Sequence, residues 1–73
     1  MENEFRKIIA LNIKLQRIRK NLTQEQLAEI SEISTKHITK IENCKVTPSS
    51  YLLYKIAMAL NTSMDRLATK DVF

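Results

Sequence analysis

The chain of 73 residues contains no glycine and no tryptophan, with one proline and one cysteine. Without glycine it holds no glycine-rich loop of the kind that cradles phosphates in nucleotide-binding enzymes. Cys44 stands alone, so an intrachain disulfide is excluded, and no second soft ligand exists to share a metal with it. A reducing compartment follows. No apolar run approaches the length needed to cross a bilayer. The amino terminus, Met1-Glu2-Asn3-Glu4, lacks the basic stretch and apolar core of a secretory signal. The expectation is a cytoplasmic protein with no membrane partner. The scarcity of glycine, proline and aromatics leaves helix as the favoured state.

What is present is a chain that is 44% hydrophobic, with a formal net charge of +4. Its length permits one domain over residues 1–73, with a core at about residues 4–68 and a short loose tail from Thr69 to Phe73. A chain this short buries only about 60% of its unfolded surface. Such a core supplies roughly 3–5 kcal/mol, so a second copy of the chain is a physically attractive support. The positive charge is unevenly spread. Arg6, Lys7, Lys14, Arg17, Arg19 and Lys20 crowd the first segment, and Lys36, Lys40 and Lys45 form a second basic run. Nucleic acid or an anionic surface suits that pattern, although solvated helix faces would carry the same charges.

Periodicity predicts five helices. From Glu4 to Lys20 the stripe Leu11, Leu15, Ile18 and Leu22, broadened by Phe5, Ile9 and Ile13, recurs at steps of three and four. Asn21 supplies a left-handed stop. Thr23-Gln24-Glu25-Gln26 is a capping box opening a second helix, which turns Leu27, Ala28 and Ile30 inward and ends near Ser31. Ser34 caps a third helix running to about Asn43 and anchored by Ile38 and Ile41. Pro48 suits the first turn of a fourth, which ends near Leu60 with Asn61 as its stop. Ser63 caps a short fifth helix carrying Met64 and Leu67.

Two short helices joined by a tight turn, the second polar and basic on its outer side, form the unit that places a helix in the major groove. Ile38 and Ile41 can hold such a helix while Thr35, Lys36, Thr39 and Lys40 reach outward. These residues resemble the phage repressor and Cro-like helix-turn-helix proteins, also called the Xre family. The resemblance runs through Leu22-Thr23-Gln24-Glu25-Gln26-Leu27-Ala28-Glu29, Ile33-Ser34, Ile38, Ile41-Glu42-Asn43, Lys45 and Pro48-Ser49. It continues through Leu53, Ile56-Ala57, Ala59-Leu60, Ser63, Asp65 and Leu67, and so covers most of Leu11 to Leu67.

The resemblance implies an all-α fold, a compact five-helix bundle of the lambda-repressor-like kind. It further implies a transcriptional regulator that binds double-stranded DNA and is not an enzyme. By position, Thr35, Lys36 and Lys40 fall where the family reads bases, with Ser34 and Thr39 as lesser candidates. Gln24 matches the family's phosphate-binding glutamine at a helix amino end, where the dipole favours an anion. Asn43 and Lys45 fall in the loop that grips the backbone. His37 is expected to sit exposed or near a phosphate, and not to act as an acid, base or ligand, because no Cys, His or carboxylate cluster accompanies it. Arg17 and Glu42 match a structural ion pair. The family commonly has glycine where this chain has Asn21, Glu32, Cys44 and Asn61. Asparagine tolerates a left-handed backbone, whereas Glu32 and Cys44 would each bear a cost of roughly 1 kcal/mol.

Tyr51, Leu52, Tyr54 and Met58 add apolar surface beyond the inward face of the fourth helix. A homodimer contact there is expected, with packing against Phe5 or the Val72-Phe73 tail as the competing explanation. No cofactor, metal or small-molecule ligand is expected, and no separate sensing domain is expected. The competing function is a helical interaction module, such as an antitoxin acting through a toxin or other protein partner. The basic first helix could in principle lie on a membrane surface, but the other segments supply a core that would bury its stripe.

Overall fold

The computed structural model describes residues 2–70. Among them are five helices: α1 (Glu2–Arg19), α2 (Gln24–Ser31), α3 (Thr35–Glu42), α4 (Ser50–Ala59) and α5 (Met64–Ala68). The local punctuation forms as the sequence predicts. Thr23 and Gln26 complete both arms of the capping box, at 3.0 and 2.9 Å. Ser34, Ser49 and Ser63 each accept a backbone N–H at the start of α3, α4 and α5. Pro48 lies one residue before the Ser49 cap, outside the helical turn expected for it.

Left-handed residues follow each of the first four helices, and none is glycine: Asn21, Glu32, Cys44 and Asn61 have φ between 55° and 62°. After each, the next residue donates its N–H to a carbonyl five residues back, Leu22 to Arg17, Ile33 to Ala28, Lys45 to Lys40 and Thr62 to Ala57. This is the Schellman closure, repeated four times, and at the first two Leu22 and Ile33 also pack against the core. The strained geometry expected for Glu32 and Cys44 is therefore present. Glu32→Gly is expected to stabilise the fold by about 0.5–1 kcal/mol, the left-handed cost less glycine's extra chain entropy. Thermal unfolding checks this through a rise in Tm of a few degrees. An unchanged or lower Tm would mean that Glu32 bears no such cost.

Ile9, Ile13, Leu27, Ile38, Ile41, Ile56, Leu60 and Leu67 are the large side chains sealed in the core. Helix α1 crosses α3 and α5, α2 packs on α3 and α4, and α4 closes on α5. Two inward assignments need correction. On α1 the expected stripe of Leu11 and Ile18 is more than half exposed, and Phe5 is exposed too, while Ile9, Ala10, Asn12 and Ile13 face the core. Leu11, Leu15 and Ile18 lie on the opposite side of the cylinder from Ile9 and Ile13, and α3 and α5 cover only one side. On α2, Ile30 is exposed and Ser31 is buried in its place, its hydroxyl donating to the Leu27 carbonyl at 2.7 Å.

One buried polar residue joins the ends of the chain. The Asn12 amide donates to the carbonyls of Arg66, Leu67 and Thr69 at 2.8–3.1 Å, serving the orphan acceptors at the carboxyl end of α5. Lys70 pairs with Glu4 on the surface at 3.2 Å. Thr69 and Lys70, where the loose tail is expected to begin, make these contacts with α1 and α5. Val72 and Phe73 lie outside the described residues.

Candidate nucleic-acid interface

Helix α3 has two different sides. Ile38 and Ile41 are buried, 1% or less exposed, while Thr35, Lys36 and Lys40 are exposed. A three-residue turn, Glu32-Ile33-Ser34, separates it from α2, and Ile33 packs against the core. The turn is short because the left-handed Glu32 reverses the backbone within one residue. Beyond α3, Asn43 and Lys45 are exposed on the loop that follows it. The lysines Lys36, Lys40 and Lys45 therefore stand together on α3 and its following loop. Glu25, Glu29 and Glu32 instead line the exposed part of α2 and its end.

A polar network fixes α3 to α1 and α2. Arg17 grips Glu42 with two contacts, Nε to Oε2 at 2.7 Å and Nη2 to Oε1 at 3.1 Å. Its Nη1 donates to the Leu22 carbonyl at 2.7 Å, where α1 turns into α2. The Glu42 side chain is 2% exposed, so this is an ion pair inside the fold. Gln24 joins the same carboxylate, its Nε2 donating to Glu42 Oε1 at 3.1 Å. The Thr39 hydroxyl in turn donates to Gln24 Oε1 at 2.7 Å.

Thr39 is half-buried, and its hydroxyl is engaged with α2. His37 is also half-buried, and its Nε2 is sealed from solvent with no hydrogen-bond partner among the described residues. That nitrogen cannot reach a phosphate without a change of rotamer. Ser34 is exposed, but its hydroxyl accepts from the His37 backbone at 3.1 Å. Sequence reasoning missed both Asn12 and the link from Gln24 to Thr39. The two joined residues lie 15 apart on different helices, and no local pattern signals their contact.

On α4, Tyr51, Tyr54 and Met58 are 67%, 49% and 62% exposed, and Leu52 is half-buried. The three keep about half or more of their surface open to solvent. Lys55 places its ammonium 5.1 Å from the Tyr51 ring centroid and donates to the Glu32 carbonyl at 3.2 Å. Part of the basic surplus on α1 is likewise engaged, since Arg6 donates to Thr47 at 2.8 Å. Among the described residues no three His, Cys, Asp or Glu side chains converge as a metal site. Among the described residues no helix is long and apolar enough to cross a membrane.

Comparison with known proteins places this architecture. The helix-turn-helix family HTH_3 matches residues 13–67. The control protein C.SmaI of Serratia marcescens is 37% identical over 68 residues, covering 93% of this chain and 81% of that protein. Among solved structures, a hypothetical transcription factor NHTF from Neisseria superposes with a TM-score of 0.88 at 25% identity, over 94% of this chain and 79% of that one. The restriction-modification controller protein C.AhdI from Aeromonas hydrophila shares the fold, with a TM-score of 0.82 at 24% identity over 85% of this chain and 94% of that one. The chain belongs to the HTH_3 helix-turn-helix family, whose members are DNA-binding regulators of transcription and not enzymes.

Proposed function

We propose that the chain is a sequence-specific, repressor-type operator binder that acts as a homodimer on a pseudopalindromic site in the cytoplasm. The observation that carries this reading is the two-sided α3, with Ile38 and Ile41 sealed in the core and Thr35, Lys36 and Lys40 exposed opposite them. In the major groove, lysine favours the acceptors of guanine and a threonine methyl suits thymine. Thr35, Lys36 and Lys40 are assigned to base edges, with Ser34 beside them at the amino end of the helix. Gln24, Asn43 and Lys45 are assigned to phosphates, which set register without reading sequence. Tyr51, Leu52, Tyr54 and Met58 supply the two-fold contact, because apolar surface this exposed on a small domain marks an interface. Similarity to a control protein makes the control of restriction-modification genes the first biological setting to test.

Selection from mixed genomic fragments followed by sequencing tests the proposal. The expected result is one pseudopalindrome with half-site centres about 34–36 Å apart. Its affinity falls with salt on a log-log slope of about −0.9 per neutralised phosphate. Failure to enrich any site would favour the second reading, a protein-interaction module such as an antitoxin, for which exposed Tyr51, Tyr54 and Met58 would be the docking surface.

A further inference from the structure

We infer that Thr39 is a positioning residue that acts through Gln24, and that its hydroxyl reads no base. The inference deepens the proposed DNA-binding reading and rests on the assignment of Gln24 to a phosphate. Its basis is a chain of four side chains from three helices. Arg17 of α1 holds both oxygens of Glu42, Glu42 accepts one amide hydrogen of Gln24, and the Gln24 oxygen accepts the Thr39 hydroxyl.

The chemistry of the carboxamide makes this arrangement directional. Turning the Gln24 amide over would set its oxygen against the Glu42 carboxylate, acceptor against acceptor. Arg17 keeps that carboxylate in place, and the Thr39 proton holds the amide oxygen from the other side. Both halves of the amide are fixed, and the second Nε2 hydrogen is left without a partner among the described residues. Gln24 is the first residue of α2 and is partly exposed, at the helix end whose first backbone N–H groups have no intrahelical acceptor. A phosphate oxygen arriving there meets a donor whose rotamer is already chosen, and the entropy of ordering a long polar side chain is spent in folding instead of binding. Thr39 loses its own freedom to meet a base in the same arrangement.

Thr39→Val keeps the branched shape and removes only the hydroxyl. With operator DNA the variant is expected to bind about five- to tenfold more weakly, the worth of one hydrogen bond. The same factor is expected on mismatched DNA, because a phosphate contact is indifferent to sequence. The salt slope should stay unchanged, since Gln24 is neutral and releases no counterion. Thr39→Ser retains the hydroxyl and should bind as the wild type does. Gln24→Ala should weaken binding at least as much, and adding Thr39→Val to it should cost nothing more. Circular dichroism on each variant confirms that the fold is kept.

If Thr39→Val instead weakens binding at one base pair only, or does so equally with Gln24→Ala present, Thr39 reads the base and the inference is overturned. A loss with Gln24→Ala but none with Thr39→Val overturns the inference and leaves the phosphate assignment standing. No loss with Gln24→Ala overturns both.

Discussion

Arg17→Met is expected to lower the stability of the fold by about 3–5 kcal/mol, the cost of leaving a buried charge without its partner. A core of this size supplies roughly that much in total, so the variant should be largely unfolded at 25 °C. The asymmetry of the pair makes the prediction sharper. Glu42 is the deeper member, with its side chain 2% exposed against 12% for Arg17. Removing Arg17 leaves the carboxylate in the fold with the single Gln24 hydrogen bond, and also strips the Leu22 carbonyl of its donor. Glu42→Gln is milder, about 1–2 kcal/mol, because an amide oxygen still accepts from Arg17 and the guanidinium is the partner nearer to water. Urea unfolding followed by circular dichroism measures both. Replacing the pair together, Arg17→Met with Glu42→Leu, should recover a substantial part of the loss. If Arg17→Met keeps the wild-type midpoint, the pair contributes nothing net and the attachment of α3 rests on Ile38, Ile41 and the Gln24 hydrogen bonds.

The features legible in the sequence are those that need only a few consecutive residues. A capping box is complete within Thr23–Gln26, and Ser34, Ser49 and Ser63 each act on a donor three residues away, so short-range chemistry determines where α2 to α5 begin. The left-handed positions were also legible, but through the resemblance: nothing in Glu32 or Cys44 as residues announces a positive φ. Their geometry is imposed by the Schellman closures that follow, which bring Ile33 and Lys45 back over the ends of α2 and α3.

What the sequence left ambiguous depended on neighbours in space. Helix α1 carries apolar residues on both of its sides, and periodicity alone cannot choose between Ile9 with Ile13 and Leu11 with Ile18. The choice is made by α3 and α5, which pack on one side. Ile30 fails for the same reason, lying on the flank of α2 while Leu27, Ala28 and Ser31 turn towards the core. Asn12 has the composition of a surface residue, and only the arrival of α5's last carbonyls, more than fifty positions later, explains its burial. At the candidate interface the residue types were legible and their hydrogen bonding was not. The exposed lysines stand where the pattern puts them, whereas the inward engagement of Gln24 and Thr39 follows from the way α2 rests on α3.

The lysine pair on α3 should be separable from the fold. Lys36 occupies the first turn of α3, which carries no acidic residue, and a cation there opposes the positive end of the helix dipole. Lys36→Ala is therefore expected to leave stability unchanged or to raise it by about 0.3–1 kcal/mol, while weakening operator binding. Lys40 sits in the last turn, where a cation is favourable, so Lys40→Ala should cost the fold a similar small amount. For DNA the two act in the same direction. If each contributes a specific base contact, the double variant should lose at least about thirtyfold in affinity for the operator, from roughly 1 kcal/mol or more per contact. It should lose far less on unrelated DNA, so that the ratio of the two affinities collapses. Lys45→Ala should weaken both alike and reduce the salt slope by about 1. Thermal unfolding and binding titrations on the same preparations measure both axes. A double variant that keeps its sequence preference would take Lys36 and Lys40 out of base reading and leave Thr35 and Ser34 as the base-reading candidates of α3.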